Sequence, residues 1–385
     1  MVAFWPQQRR WNECHLLLHS RGGFPPEQVG ADRRHRNLVG GTAMEPWMPA
    51  DALASCGEAT EDTHQKAKQA REVTGDPGLY VPGRHPAIEL EQGPPSQHST
   101  LWNSMVAPLT SLPVAAFYWY QGESNAGAPV PFAKCFPAMI TSWRQHWTTS
   151  SKSSLAVDRP FIFFQLAPWP SLENGMIPAI RFAQLPALEL PNVGIVVTAD
   201  RGDAAGAFHP IHPPVKQELS RRAGMVTARL LYNDTAFPLQ GPQVRSVTFD
   251  AWNPSWGDYH HGTGKGSYVC SPGSGFLCGG IRVEFDQKLT IAGCGGDGFT
   301  EPGDLNSFDS GLIVRDKVGG QNFQPVELTG ALADDMTLQL NVTWVWGSTP
   351  PTVLQYALSD YPTMRIYNQF DQPAMPFQAT IVPAE

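Results

Sequence analysis

The chain has 385 residues, enough for two domains and a substantial core. Its formal charge of -8 argues against a nucleic-acid backbone as partner, because that contact needs clustered Lys and Arg to displace counterions. Apolar residues make up 42%, charged residues 16%, and there are 36 Gly and 36 Pro, which together describe a loop-rich globular protein and exclude a disordered one.

Residues 1–37 carry six Arg and three His with no sustained period of two or 3.6 residues, so no structure is expected of them. The Arg-rich character suits a transit sequence, but a mispredicted start or frame explains the break better, since the chain becomes orderly from Leu38. Val114–Tyr120 is an apolar, aromatic run suited to a strand buried on both faces. A turn follows at Gly122 to Gly127. Phe132, Phe136, Met139, Ile140, Trp143 and Trp147 then recur at helical spacing, which predicts a helix of about four turns. Pro160–Leu166 and Val193–Thr198 read as second and third buried strands, and a helix is expected from about Pro214 to Leu231, with Pro suited to the first turn. Strands alternating with helices imply a parallel sheet, whose site lies beyond the carboxyl ends of the strands, just after Tyr120, Leu166 and Thr198. Beyond Asn233 short runs such as Ile281–Phe285 and Leu338–Trp344, split by Gly and Pro, read as an all-β part. The expected division is an atypical segment at 1–37, an α/β domain at 38–232 and a β-rich domain at 233–385.

Six cysteines, Cys14, Cys56, Cys135, Cys270, Cys278 and Cys294, form no CxxC pair and no zinc-type Cys/His spacing, so no metal is expected. The even count and the sequons at Asn233 and Asn341 suit a secreted glycoprotein. Residues 1–25 show no signal-peptide core, and no run of 18 apolar residues marks a membrane span.

The most specific string is Trp119-Tyr120-Gln121-Gly122-Glu123-Ser124-Asn125. Gly122 lets the chain turn sharply after the strand, and Asn125 on that turn either aims an amide N–H at an oxyanion or serves only as a turn former. Ser124 is not in a GxSxG elbow. His212 follows the third strand and precedes a helix N-terminus, where the helix dipole disfavours imidazolium and leaves the ring available as a base.

The string resembles the corresponding stretch of sialate O-acetylesterases of the SGNH-hydrolase type. Further matches are Gly40-Gly41-Thr42 with Glu45-Pro46-Trp47, Leu101-Trp102-Asn103, Cys135–Arg144, Phe164-Gln165-Leu166, Ile180-Arg181 with Gln184, and Ile211-His212-Pro213 with Lys216-Gln217. The resemblance implies an SGNH, flavodoxin-like three-layer α/β/α sandwich with a β-rich C-terminal part. It also implies removal of O-acetyl groups from sialic acids through an acyl-serine, with no cofactor. His212 matches the general base, and Gly40 or Gly41 and Asn125 match the oxyanion donors. Gln121, Glu123 and Gln165 are the expected substrate contacts. The orienting carboxylate is Asp203 or, second, Asp200; His209 competes with His212 for the base. Trp47 and Trp169 are candidate sugar platforms, whereas Trp102, Trp119 and Trp143 read as core. The expected partner is an O-acetylated sialic acid or glycan, and the resemblance points to the secretory pathway, the lysosome or the cell exterior.

One part of the pattern is missing. No Gly-Gln-Ser-Asn block, which carries the nucleophile in that family, occurs in residues 1–385, and neither Ser124 nor Ser171 lies in a motif that replaces it. The chain as written is therefore expected to be inactive and to lack the first strand of its sheet. Alternatives are a polysaccharide deacetylase of the same fold and a non-catalytic glycan-binding protein.

Overall fold

The computed structural model describes residues 2–6, 35–37, 39–57, 95–151, 158–169, 176–202, 211–212, 216–251, 260–261, 268–269, 276–291, 312–315, 327–345 and 351–383. The chain divides into two compact units, Met1–Leu239 and Gln240–Glu385.

The first unit is built on strands β1 (Val2–Pro6), β2 (His35–Asn37), β3 (Val114–Trp119), β4 (Phe161–Phe164) and β5 (Val193–Val196), in the order β2-β1-β3-β4-β5. β3, β4 and β5 pair in parallel, as the alternation of apolar runs and helices predicts. The expectation of no structure in 1–37 is corrected: β1 lies antiparallel to β3 and β2 antiparallel to β1. The physical reason is the edge of β3, a row of backbone donors and acceptors that a neighbouring strand satisfies in either direction.

Helices cover both faces of the sheet. Helix α1 (Ala50–Cys56) and the long α2 (Pro129–Ser151) lie on one side, where Phe136, Trp143 and Trp147 of α2 meet Phe117, Phe161 and Phe163. With 23 residues, α2 makes about six turns, longer than the apolar stripe alone predicts, because its last turn is polar. A Cys56–Cys135 disulfide fastens α1 to α2. The buried Arg144 donates to the carbonyls of Arg159 and Asn192, so this helix also gathers the segments that enter β4 and β5. Burial pulls the Arg144 guanidinium down to about 10, with Asp158 opposing the shift.

Short α3 (Met176–Ala183) follows β4, and α4 (Gln217–Tyr232) covers the opposite face through Ala223 and Val226, packed on Ile162 and Val196. Gly194 in β5 permits that approach, since a Cβ there would stand 2.4 Å from Val226 Cγ1. α4 ends at Asn233 in the left-handed conformation that Asn tolerates.

Every regular element described in the second unit is a β-strand. Strands β6 (Val244–Ala251), β9 (Phe276–Phe285), β12 (Glu327–Leu332), β13 (Thr337–Val345) and β17 (Val382–Pro383) form one sheet in the order β12-β13-β9-β6-β17. The runs Ile281–Phe285 and Leu338–Trp344 lie in β9 and β13, paired antiparallel with Leu340 opposite Ile281. Smaller sheets pair β11 (Leu312–Arg315), β14 (Val353–Tyr356) and β16 (Phe377–Thr380), and β10 (Leu289–Ile291) with β15 (Ile366–Asn368). β7 (His260–His261) pairs with β8 (Tyr268–Val269).

Candidate active site

Past the end of β3 the chain turns at Gly122, where a φ of 147° and Leu166, 3.3 Å from where a Cβ would stand, disfavour a side chain. A single 3-10 turn, Glu123–Asn125, follows. The second half of the site is the loop before α1, where Gly41 takes a φ of 71° and a short turn runs over Glu45–Trp47.

Four side-chain contacts of Gln121 and Asn125 join these two segments. Gln121 Nε2 donates to the Thr42 carbonyl (3.1 Å) and to Asn125 Oδ1 (2.8 Å). Asn125 Oδ1 also accepts from the Met44 N–H (2.9 Å), and Asn125 Nδ2 donates to the Glu45 carboxylate at 3.0 and 3.1 Å from its two oxygens. The sequence-predicted residues Gly40, Gly41, Gln121 and Asn125 are thereby brought onto two segments tied together at the sheet's carboxyl end. Asn125 is only 5% exposed, so its amide orientation is set by protein partners and not by solvent.

Gln165 lies just beyond β4. The parallel register places Phe117 beside Phe161 and Trp119 beside Phe163, and Tyr120 stacks on Phe164 across the other face. Continuing the alternation sets Gln121 and Gln165 on the same side as α2. Gln165 is 1% exposed, yet neither its Oε1 nor its Nε2 has a hydrogen-bond partner among the described residues; the same is true of Gln121 Oε1 and Trp169 Nε1. Buried amides without partners cost free energy, and their usual satisfaction is water or ligand. The backbone around Gln165 is by contrast well held: the Thr198 hydroxyl donates to the Gln165 carbonyl, Arg181 Nε to the Leu166 carbonyl (2.8 Å), and Gln184 bonds both Leu166 N–H and the Phe164 carbonyl.

Glu123 is half-buried and faces a second cluster. The Lys216 ammonium stands 5.2 Å from the Tyr120 ring centroid, a cation–π distance. Burial lowers the Lys216 pKa while Glu123 opposes the change. Burial first, and then the charge of Glu123, push the Tyr120 phenol well above its usual range. This contact anchors the start of α4 to the end of β3. His212 lies a short way upstream and is exposed. Asp203 and His209 lie outside the described residues. Asp200 has both oxygens engaged by buried Arg222 at 2.7 Å, with Arg201 3.1 Å from Oδ2, which commits that carboxylate to holding α4 against β5.

Two candidate sugar platforms are corrected. Trp47 is 3% exposed, donates to Thr42 Oγ1, accepts from Trp143 Nε1 and meets Trp119 edge-on; Trp169 is buried as well. Their apolar bulk wins a place in the core although their loops lie at the strand ends. Trp102, Trp119 and Trp143 are core, as expected. A Ser, an Asp and a His also meet at Ser142, Asp51 and His146, but the carboxylate stands in the middle, accepting from Ser142 at 2.5 Å and contacting His146 at 3.0 Å. With no ring nitrogen on the hydroxyl, that cluster has no base for a nucleophile. Glu45 is the site residue the sequence reading did not single out; its signal is a carboxyl inside the apolar stretch Ala43–Met48, all of it buried. Among the described residues no cluster suits a metal ion, and no helix is long and apolar enough to cross a membrane.

Comparison with known proteins bears on this arrangement. Mouse and rat sialate O-acetylesterases are 31% and 30% identical to the chain over 229 and 227 residues, 56% of this chain and 42% of each relative. The human sialate O-acetylesterase is 30% identical over 218 residues, 54% of this chain and 37% of its own length. Over that stretch the chain is similar to the sialate O-acetylesterases. It spans less than half the length of the curated relatives it matches. A crystal structure of a carbohydrate acetylesterase from Xanthomonas citri has the same fold, with a TM-score of 0.57 at 21% identity over 88% of this chain and 59% of that one. No family model matches the chain.

Proposed function

We propose that the chain carries the oxyanion-binding and base-bearing part of a carboxylic ester hydrolase that removes O-acetyl groups from sialic acids. The observation that carries this reading is the tie between the loop of Gly40–Glu45 and the turn of Gln121–Asn125, which sets an amide donor beside a glycine-rich backbone beyond the end of β3. In acyl transfer, donors held in that way stabilise the charge that develops on the carbonyl oxygen. His212 serves as general base, taking the proton of the attacking hydroxyl and returning it to the leaving sugar oxygen. Gln121 Oε1 and the Gln165 amide, without partners among the described residues, offer a buried acceptor and a buried donor–acceptor pair to the hydroxyl and acetamido groups of a sugar. Glu123 completes the substrate side, and Asp203 is the proposed orienting carboxylate for His212.

The hydroxyl nucleophile is expected in a Gly-Gln-Ser-Asn block, which the 385 residues do not contain. The test therefore compares the chain as written with a form extended upstream to include that block, by acetate release from 9-O-acetylated sialic acid. Turnover in the extended form alone, abolished by His212→Ala and only weakened by His209→Ala, is the expected result. Glycan binding without turnover by both forms would replace the esterase reading with a non-catalytic glycan-binding one. Serine-dependent turnover by the short chain would mean that the nucleophile lies among these residues.

A further inference from the structure

We propose that Glu45 is a positioning residue that fixes the Asn125 amide so that one of its N–H bonds points at the oxyanion; this rests on the esterase reading above. The orientation of the amide is unambiguous, because a backbone N–H only donates: the end that meets the Met44 N–H at 2.9 Å is the oxygen. Gln121 Nε2, at 2.8 Å, is the second donor to that oxygen, so both of its acceptor positions are filled.

The nitrogen end is filled by half. Nδ2 lies 3.0 and 3.1 Å from the two oxygens of the single Glu45 carboxylate. Those oxygens sit on one carbon, too close together to receive two N–H bonds that diverge from a planar nitrogen. One N–H is therefore shared between them, and the other has no protein partner among the described residues. The planar amide then has no remaining rotational freedom: the oxygen is held at two points and one hydrogen at a third. The direction of the last hydrogen follows from the other three contacts.

Glu45 is suited to this work by its own surroundings. It is 6% exposed, with Pro46 next in the chain and its backbone carbonyl accepting from Ser99 and Met48, so the carboxylate is delivered from a fixed backbone. A negative charge two atoms behind the donor opposes an oxyanion electrostatically. Its benefit must therefore be geometric, and a neutral side chain that keeps the acceptor should serve as well. This distinguishes positioning from charge stabilisation.

The experiment has two arms. In the ester-hydrolysing form, E45Q keeps an acceptor for Nδ2 and is expected to retain kcat within about threefold, whereas E45M, of similar volume, is expected to lower kcat about tenfold or more with KM unchanged. That loss should stay below the roughly 10²–10³ expected for removing the donor itself. Equal kcat in E45M and the parent overturns the proposal while leaving the esterase reading intact. The second arm needs no turnover and uses the full chain: the side-chain amide protons of Asn125 are followed by NMR during titration with acetate, whose carboxylate oxygen occupies the oxyanion position. One of the two protons is expected to move and the Glu45-bound one to stay, with E45Q behaving like the parent. If both protons move together, or neither does, the proposal fails even where turnover is never observed. The parent and E45Q carry this arm should E45M not fold.

Discussion

Two buried asparagines, one in each unit, differ in how far their amides are satisfied by protein partners. Asn368, 2% exposed in the β unit, spends everything: Nδ2 donates to Gln287 Oε1 and Gln372 Oε1 at 2.9 Å, and Oδ1 accepts from the Phe370 and Gln372 N–H groups at 3.0 Å. Asn125 in the α/β unit fills its oxygen in the same way but shares one N–H with one carboxylate and leaves the other unassigned. Nearby Gln165 leaves its whole amide unassigned. A buried polar group normally closes its inventory because an unmet donor or acceptor costs about 1–3 kcal/mol. Gln121 and Gln165 carry such unmet groups just beyond β3 and β4, where the proposed esterase reading puts the substrate.

The sharpest way to break this contrast is Asn125→Ala in the ester-hydrolysing form. The expected outcome is a kcat lower by about 10²–10³, equivalent to roughly 3–4 kcal/mol, with little change in KM, measured per folded molecule. A change confined to KM would reassign Asn125 to sugar binding. Asn368→Ala should do the reverse. It strands two side-chain oxygens and two backbone N–H groups, so denaturant unfolding is expected to show a loss of about 2–4 kcal/mol, while kcat per folded molecule stays at the parent value.

Gln165→Met tests the unassigned amide. Replacing a buried group that has no partner among the described residues is expected to leave stability unchanged or raise it by about 1 kcal/mol, while KM for the acetylated sugar rises. A clear loss of stability would mean that Gln165 has a structural partner. The smallest effect concerns the Ser142–Asp51–His146 cluster. Partial burial raises the Asp51 pKa, but the hydrogen bonds from Ser142 and His146 outweigh it, so the folded value lies below the ordinary 3.8. A depressed carboxyl contributes stability above its unfolded value and loses it as pH falls through the folded one. The stability gap between the parent and Asp51→Asn should therefore close below about pH 4, and it should be under about 1 kcal/mol because Asp51 is largely exposed. A gap that persists at lower pH would show that the carboxyl charge is not what Asp51 contributes.

Much of the α/β unit was legible because apolar runs and helical stripes are local signals. Val114–Trp119, Phe161–Phe164 and Val193–Val196 are strands where unbroken apolar runs predicted them, and the Phe132–Trp147 stripe lies on one helix. The turn carrying Asn125 followed from Gly122 after a buried strand. Trp47 and Trp169 were misplaced because a loop position at a strand end does not reveal whether an aromatic ring turns toward the pocket or the core. Strands in the first 37 residues were missed because an edge partner is selected by what β3 leaves unpaired, not by periodicity of its own.

The sequence by itself determined where strands end and which polar residues stand there, since strand alternation and turn chemistry act over a few residues. Only the tertiary structure decided how those residues are employed. Hydrogen-bond inventories close across 80 residues between Glu45 and Asn125 and across 22 between Asp200 and Arg222, and no local pattern encodes such distances. That closure commits Asp200 to Arg222, turns Glu45 from part of a matching block into the brace of an amide, and leaves one N–H of Asn125 and the amide of Gln165 without protein partners among the described residues. The physical reason is that a polar side chain's role is set by which of its donors and acceptors the fold has already satisfied.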